Sequence, residues 1–282
     1  MTAPRAVVFG EALIDVYPEA RVAAGAPLHV AVHLAARGWT VSFVTRVGDD
    51  PEGARIRDLL EDEGVDSSLV ETDRELATGE VTIELRREAH SFTIHGPAAW
   101  DAIEGPDRLP AHDAFYFGTL AARAETSRDT LARLLAQSDA PLRALDVNLR
   151  HPHVDASVLA LALGAATLLK TNEEELREVA RALDLAAEPA ALFDAAPALA
   201  WVCVTSGERG ADLHARSGEK WSLEGAPVEV VDTVGAGDAF VAALVDALVR
   251  GREAEDALQL ARAAAASVLG RRGGLPPRSP DV

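Results

Sequence analysis

Residues 230–241 run Val-Val-Asp-Thr-Val-Gly-Ala-Gly-Asp-Ala-Phe-Val, and beyond them apolar residues recur at helical spacing through Ala243, Leu244, Ala247 and Leu248. A glycine-rich turn that opens a helix presents backbone N–H groups backed by the positive end of the helix dipole, an arrangement that binds phosphate. A carboxylate at Asp238 would repel such an anion unless it has another use. As a base it can take a proton from a hydroxyl that attacks a phosphoryl group held by Gly235, Ala236 and Gly237. The alternative is structural, because an acidic residue in a first helical turn gains about 0.3–1 kcal/mol from the dipole without any chemistry.

These residues need a frame to hold them. Short apolar runs at 6–9, 41–45, 114–117, 144–147, 167–169 and 202–205 read as buried strands. Between them, 28–37, 51–63, 127–137, 157–163 and 173–183 carry apolar residues at helical spacing. This alternation implies an α/β fold: a doubly wound, mostly parallel sheet with helices on both faces. Ligands in such folds bind beyond the carboxyl ends of the strands, where Gly10, Gly48, Gly118, Asn148, Thr171 and Ser206 all fall. The stretch 68–94 breaks the pattern. There, 80–86 and 91–94 alternate like strands around Arg87-Glu88-Ala89, so a β-hairpin inserted as a small lid is expected.

Five segments stand in order, opening at Gly10, Asp146, Asn172, Thr205 and Asp232 and closing at Asp15, Arg150, Glu175, Gly210 and Asp238. With them the chain resembles the ribokinase-like (PfkB) family of sugar and nucleoside kinases over nearly its whole length. Asp232-Thr233-Val234-Gly235-Ala236-Gly237-Asp238 is similar to that family's C-terminal signature. Gly10-Glu11-Ala12-Leu13-Ile14-Asp15 resembles the opening of bacterial fructokinases, and Asp146-Val147-Asn148-Leu149-Arg150 the family's Asp-x-Asn-x-Arg segment. Asn172-Glu173-Glu174-Glu175 and Thr205-Ser206-Gly207-Glu208-Arg209-Gly210 resemble its Asn-x-x-Glu motif and nucleotide loop.

The resemblance implies ATP-dependent phosphorylation of a sugar hydroxyl, with fructose as the first candidate. It makes Asp238 the catalytic base, the amides of Gly235, Ala236 and Gly237 an anion hole, and Arg150 a neutraliser of charge on the transferring group. Asn172, Thr205, Gly207 and Gly210 would lie against the nucleotide, Glu175 would organise Mg2+ through water, and a monovalent cation (K+) would sit near Asp232. Read from the residues alone, Asn172 with Glu175 three positions later is also a capping box, and the 205–210 segment is also a plain hairpin. Likewise Gly48-Asp49-Asp50-Pro51 reads as a helix cap with proline at the first position.

The substrate half departs from the family. Asp15, Gly25 and His29 fall at sugar-binding positions, but the segment reads Ala24-Gly25-Ala26-Pro27-Leu28-His29, with His29 where the family usually has asparagine. The connection from Asp15 to Gly25 is shorter than usual, and Arg262 stands where asparagine is often found near adenine. Kinases for 2-keto-3-deoxygluconate or a nucleoside, and a non-catalytic sugar- or nucleotide-sensing protein on this fold, therefore stay in view.

Composition sets the outer bounds. The 282 residues fit one domain over 1–282, with the lid drawn from about 11–25 and 68–98. A net charge of −18 argues against a nucleic-acid partner, since phosphate backbones require a basic footprint. No apolar run is long enough for a bilayer, so no membrane partner is expected. A single cysteine, Cys203, and an opening that goes straight into a strand favour a cytoplasmic protein. Sugar and ATP are the expected partners, and the resemblance allows a homodimer.

Overall fold

The computed structural model describes residues 2–85, 90–225, 230–270 and 273–276. Along the chain come β1 (Arg5–Phe9), β2 (Leu13–Val16), β3 (Arg21–Ala24), α1 (Ala26–Ala35), β4 (Thr40–Gly48), α2 (Pro51–Asp62), β5 (Val70–Asp73), β6 (Gly79–Leu85) and β7 (His90–Ile94). The middle holds β8 (Ala114–Phe117), α3 (Glu125–Gln137), β9 (Leu142–Asp146), α4 (Ala156–Ala165), β10 (Leu168–Asn172), α5 (Glu173–Ala182) and α6 (Pro189–Ala195). The last part adds β11 (Trp201–Thr205), β12 (Gly210–Ala215), β13 (Lys220–Glu224), α7 (Ala236–Val249) and α8 (Ala254–Leu269).

Nine strands form one sheet in the order β13-β12-β11-β10-β9-β8-β1-β4-β5. The seven from β11 to β5 run parallel, and β12 and β13 close one edge antiparallel. Parallel strands are buried on both faces, and their residues divide by alternation. In β1, Ala6 and Val8 join the core under α1, α2, α7 and α8, whereas Val7 and Phe9 join the core under α3, α4, α5 and α6. Ala114 and Tyr116 in β8 likewise face the first core, and Phe115 and Phe117 the second. The order reverses at β1, which lies between β4 and β8. Such a switch point opens a crevice beyond the strand ends.

A second sheet of four strands, β3-β2-β6-β7, stands over that crevice. It includes the expected hairpin, β6 paired antiparallel with β7, whose connection 86–89 lies outside the described residues. It is smaller than 68–98 suggested. Val70–Asp73 belongs instead to the main sheet, parallel to β4, because its buried ends pack on that edge. Asp50 caps α2 by accepting from the Gly53 amide at 2.7 Å, with Pro51 at the first position, as the sequence implied. Cys203 is buried in β11, and burial pushes its thiol up to about 12. No described helix is long and apolar enough to cross a membrane.

Candidate active site

α7 begins at Gly235, whose φ of 77° is the left-handed conformation that favours glycine. No side chain caps this helix start. Gly235, Gly237 and Asp238 line a cavity of about 290 Å3, and the Ala236 amide turns back toward the Thr233 carbonyl at 3.4 Å. Of the three residues expected to form an anion hole, Gly235 and Gly237 line the cavity and Ala236 does not. Asp238 is nine-tenths buried, and its Oδ2 lies 2.8 Å from His29 Nδ1.

α1 brings further residues to the same cavity. Its cap, Gly25 (φ 121°), lies so close to the Glu11 backbone that an added Cβ would meet the Glu11 carbonyl oxygen at 2.6 Å. His29, one turn on, and Asp15 on β2 both line the same cavity. Burial pushes the Asp15 carboxyl up to about 6, against the pull of His29 and Arg150. One further turn along α1, His33 Nε2–H donates to the Gly274 carbonyl at 2.9 Å, and burial lowers its imidazole to about 4, keeping it neutral.

Arg150 follows β9 and also lines this cavity, its guanidinium 5.7 Å from the Phe92 ring centre. Among the described residues it has no carboxylate partner, so the surface-ion-pair alternative does not describe it. Asn172 and Glu175 do form the capping box. Asn172 Oδ1 accepts the Glu174 and Glu175 amides at 2.9 Å, while Glu175 accepts those of Asn172 (2.9 Å) and Leu149 (3.1 Å). Thr205 is paired in register with Asn172 at the ends of β11 and β10. Gly207 sits in a short turn, and Gly210 opens β12 so tightly against β13 that an added Cβ would strike the Leu223 carbonyl. The hairpin alternative for 205–210 is thus formed. None of these five residues touches the cavity. Arg262 instead donates to the Glu224 carbonyl at 2.9 Å, tying α8 to β13.

Two charged groups join the site without having been singled out. Glu11, directly after β1, lines the cavity with Oε2 buried and unpartnered, and burial pushes it up to about 7. Lys170 lies 3.1 Å from both oxygens of Asp146. Burial works against its charge, but Asp146 and Glu175 hold its pKa above the ordinary lysine value. The signal for both was a charge beside an otherwise apolar strand, Glu11 after Arg-Ala-Val-Val-Phe-Gly and Lys170 after Leu168-Leu169.

A second hollow of about 480 Å3 adjoins the first and shares Asp15, His29, Phe92 and Val234 with it. Asp232 lines it and accepts the Val234 and Gly273 amides at 3.1 Å each. Among the described residues no three acidic, histidine or cysteine side chains gather as a metal site. Mg2+ in phosphoryl transfer requires only one or two carboxylates beside water and phosphate oxygens. Each Glu175 oxygen accepts one amide, which leaves lone pairs free for a water-bridged ion.

The sequence matches the pfkB family carbohydrate kinase profile over residues 4–281. It is 33% identical to a fructokinase of Klebsiella pneumoniae, covering 86% of this chain and 83% of that one. It is 27% identical to fructokinase-1 of Oryza sativa subsp. japonica, covering 98% and 95%. A fructokinase of Vibrio cholerae O395, solved with fructose, ADP and a calcium ion, superposes with a TM-score of 0.81 at 25% identity, covering 96% of this chain and 94% of its own. The aminoimidazole riboside kinase of Salmonella enterica, complexed with its riboside and an ATP analogue, gives the same score and identity, covering 96% and 95%. The profile match over nearly the whole chain and the identity to fructokinases place the chain in the pfkB family of carbohydrate kinases, and it is an ATP-dependent sugar kinase.

Proposed function

We propose that the protein transfers the γ-phosphoryl group of ATP to a hydroxyl of fructose, with Asp238 as base. One observation carries this reading: Asp238 stands in the first turn of α7, on the same cavity as Gly235, Gly237 and Arg150. The acceptor hydroxyl lies against Asp238, which takes its proton as the oxygen attacks phosphorus and the bond to ADP breaks. Gly235 and Gly237 allow the phosphoryl oxygens to approach the backbone, and Arg150 balances the charge that spreads over them. Mg2+ would supply further neutralisation when bound, and Glu175 would hold it through water. Asp15, Gly25 and His29 shape the acceptor side. Asn172, Thr205, Gly207 and Gly210 edge the nucleotide side at the neighbouring strand ends, and K+ is assigned to the Asp232 turn.

The chain acts as one α/β unit whose second sheet covers the acceptor. The strong negative charge argues against a nucleic-acid partner, the single cysteine fits a cytoplasmic enzyme, and a homodimer through the second sheet is consistent with its exposed Val22 and Phe92. A riboside acceptor is the second reading, because the adjoining hollow, walled in part by Tyr17, Val22 and Phe92, extends the cavity beyond a single sugar ring.

The test is ADP release by the purified protein with ATP and Mg2+ across fructose, other hexoses, 2-keto-3-deoxygluconate and ribosides. Fructose with the highest kcat/KM supports the reading. A higher value for a riboside transfers it to the second, and no turnover with any acceptor overturns both.

A further inference from the structure

His29 is not aimed only at the acceptor. Its Nδ1 lies 2.8 Å from Asp238 Oδ2, and the two side chains, from helices 209 residues apart in sequence, are 5% and 12% exposed. Asp238 is acceptor-only when ionised, so the shared proton sits on Nδ1 and the imidazole donates it. One carboxylate oxygen is thereby occupied and the other, Oδ1, remains for a substrate hydroxyl. The ring is itself held. A Cβ added at Gly274 would come within 2.5 Å of His29 Cε1 and 2.9 Å of Nε2, so the backbone of this segment is packed flat against the imidazole. His33, one turn along, anchors that segment by donating to the Gly274 carbonyl. His29 thus reaches the Asp238 carboxylate from the helix start that follows Gly25.

We propose that His29 is a positioning residue: it fixes the rotamer of Asp238 through Nδ1–H, reserves Oδ1 for the acceptor hydroxyl, and is backed by Gly274. The proposal rests on the reading of Asp238 as base. A hydrogen bond to a charged group that sets the geometry of attack should appear mainly in kcat.

The experiment is steady-state kinetics of His29→Leu, His29→Asn, Asp238→Asn and the double variant His29→Leu/Asp238→Asn, using the best acceptor from the panel. His29→Leu should lower kcat about 10- to 100-fold with KM for the acceptor changed less than about 3-fold. His29→Asn should recover most of kcat, since a carboxamide nitrogen can stand near the position of Nδ1. The double variant should be no slower than Asp238→Asn alone, as expected for groups acting as a unit. Wild-type kcat in His29→Leu, or losses that multiply in the double variant, would overturn the proposal. If His29→Leu fails to fold by circular dichroism, Gly274→Ala replaces it: its methyl displaces the ring, so kcat should fall, and an unchanged kcat overturns the proposal. Near-normal turnover of Asp238→Asn would instead overturn the assignment of the base, a separate failure.

Discussion

Lys170 lies against the turn that opens α7: a Cβ added at Gly237 would come 3.3 Å from its Nζ, which is already 3.1 Å from both carboxylate oxygens of Asp146. A buried ammonium thus stands beside the start of α7, paired directly with the buried Asp146 carboxylate. Removing one member of such a pair strands the other, at a cost of about 3–5 kcal/mol. Lys170→Met should lose about that much stability at pH 8 and less at acid pH, where Asp146 can take up a proton. Lys170→Met/Asp146→Leu should regain most of it. Urea unfolding of the three proteins measures both effects, and an unchanged midpoint for the single variant would dismiss the argument.

Asp238→Asn should keep the fold and the affinity for nucleotide while kcat falls by roughly 10²–10⁴, the range for a positioned acid–base group. Turnover and ADP binding are measured on the same preparation. Turnover near the wild-type rate would show that the base lies elsewhere.

Gly237→Val should lower kcat by at least about 100-fold, because a branched side chain there crowds Lys170 and, on the proposed reading, the phosphoryl group. The reason is space rather than backbone strain. It is Gly235 that holds the left-handed conformation, and an added Cβ there would come within 2.2 Å of Gly274 Cα. Gly235→Ala should therefore lose stability as well as rate, whereas Gly237→Val should lose chiefly rate. Equal thermal shifts for the two would contradict this division.

Glu11 predicts a dependence of stability on pH. Burial raises it from 4.5 to about 7. Below pH 4.5 the carboxyl is protonated in both states. Between pH 4.5 and about 7 the folded chain holds the proton while the unfolded chain has lost it, so this group's contribution falls as pH rises. The full loss, complete by about pH 8, is at most about 3 kcal/mol. Glu11→Gln does not titrate, so its stability relative to wild type should improve across that window. A difference that stays constant with pH would mean that Glu11 is not held neutral.

The parallel sheet and the α7 turn were legible because each rests on local pattern: continuous apolar runs, helical spacing, and glycine before a helix. The edge strands β12 and β13 were not. Their burial alternates along Gly210–Ala215 and Lys220–Glu224, which look half-polar until β11 is there to pair with them. Lys170 was passed over because its charge is meaningful only beside Asp146, one strand away. The Asn172 motif was ambiguous in sequence for a physical reason. The capping box is formed by the same atoms that a nucleotide role would use, so local spacing cannot separate the two. His29 was placed near the acceptor by its position after Gly25, but nothing in the sequence pairs it with a residue so distant.

That distance shapes how the enzyme comes into being. His33 meets Gly274 across 241 residues, and β1 enters the middle of a sheet whose neighbours come from later segments. Contacts of such sequence separation close long loops before any packing rewards them, and they slow folding. A refolding chain can recover the ellipticity of its helices well before the imidazole, the carboxylate and the backbone behind them are assembled. Regained turnover therefore reports completion of the whole architecture, and a sample judged native by helicity alone can still be catalytically unfinished.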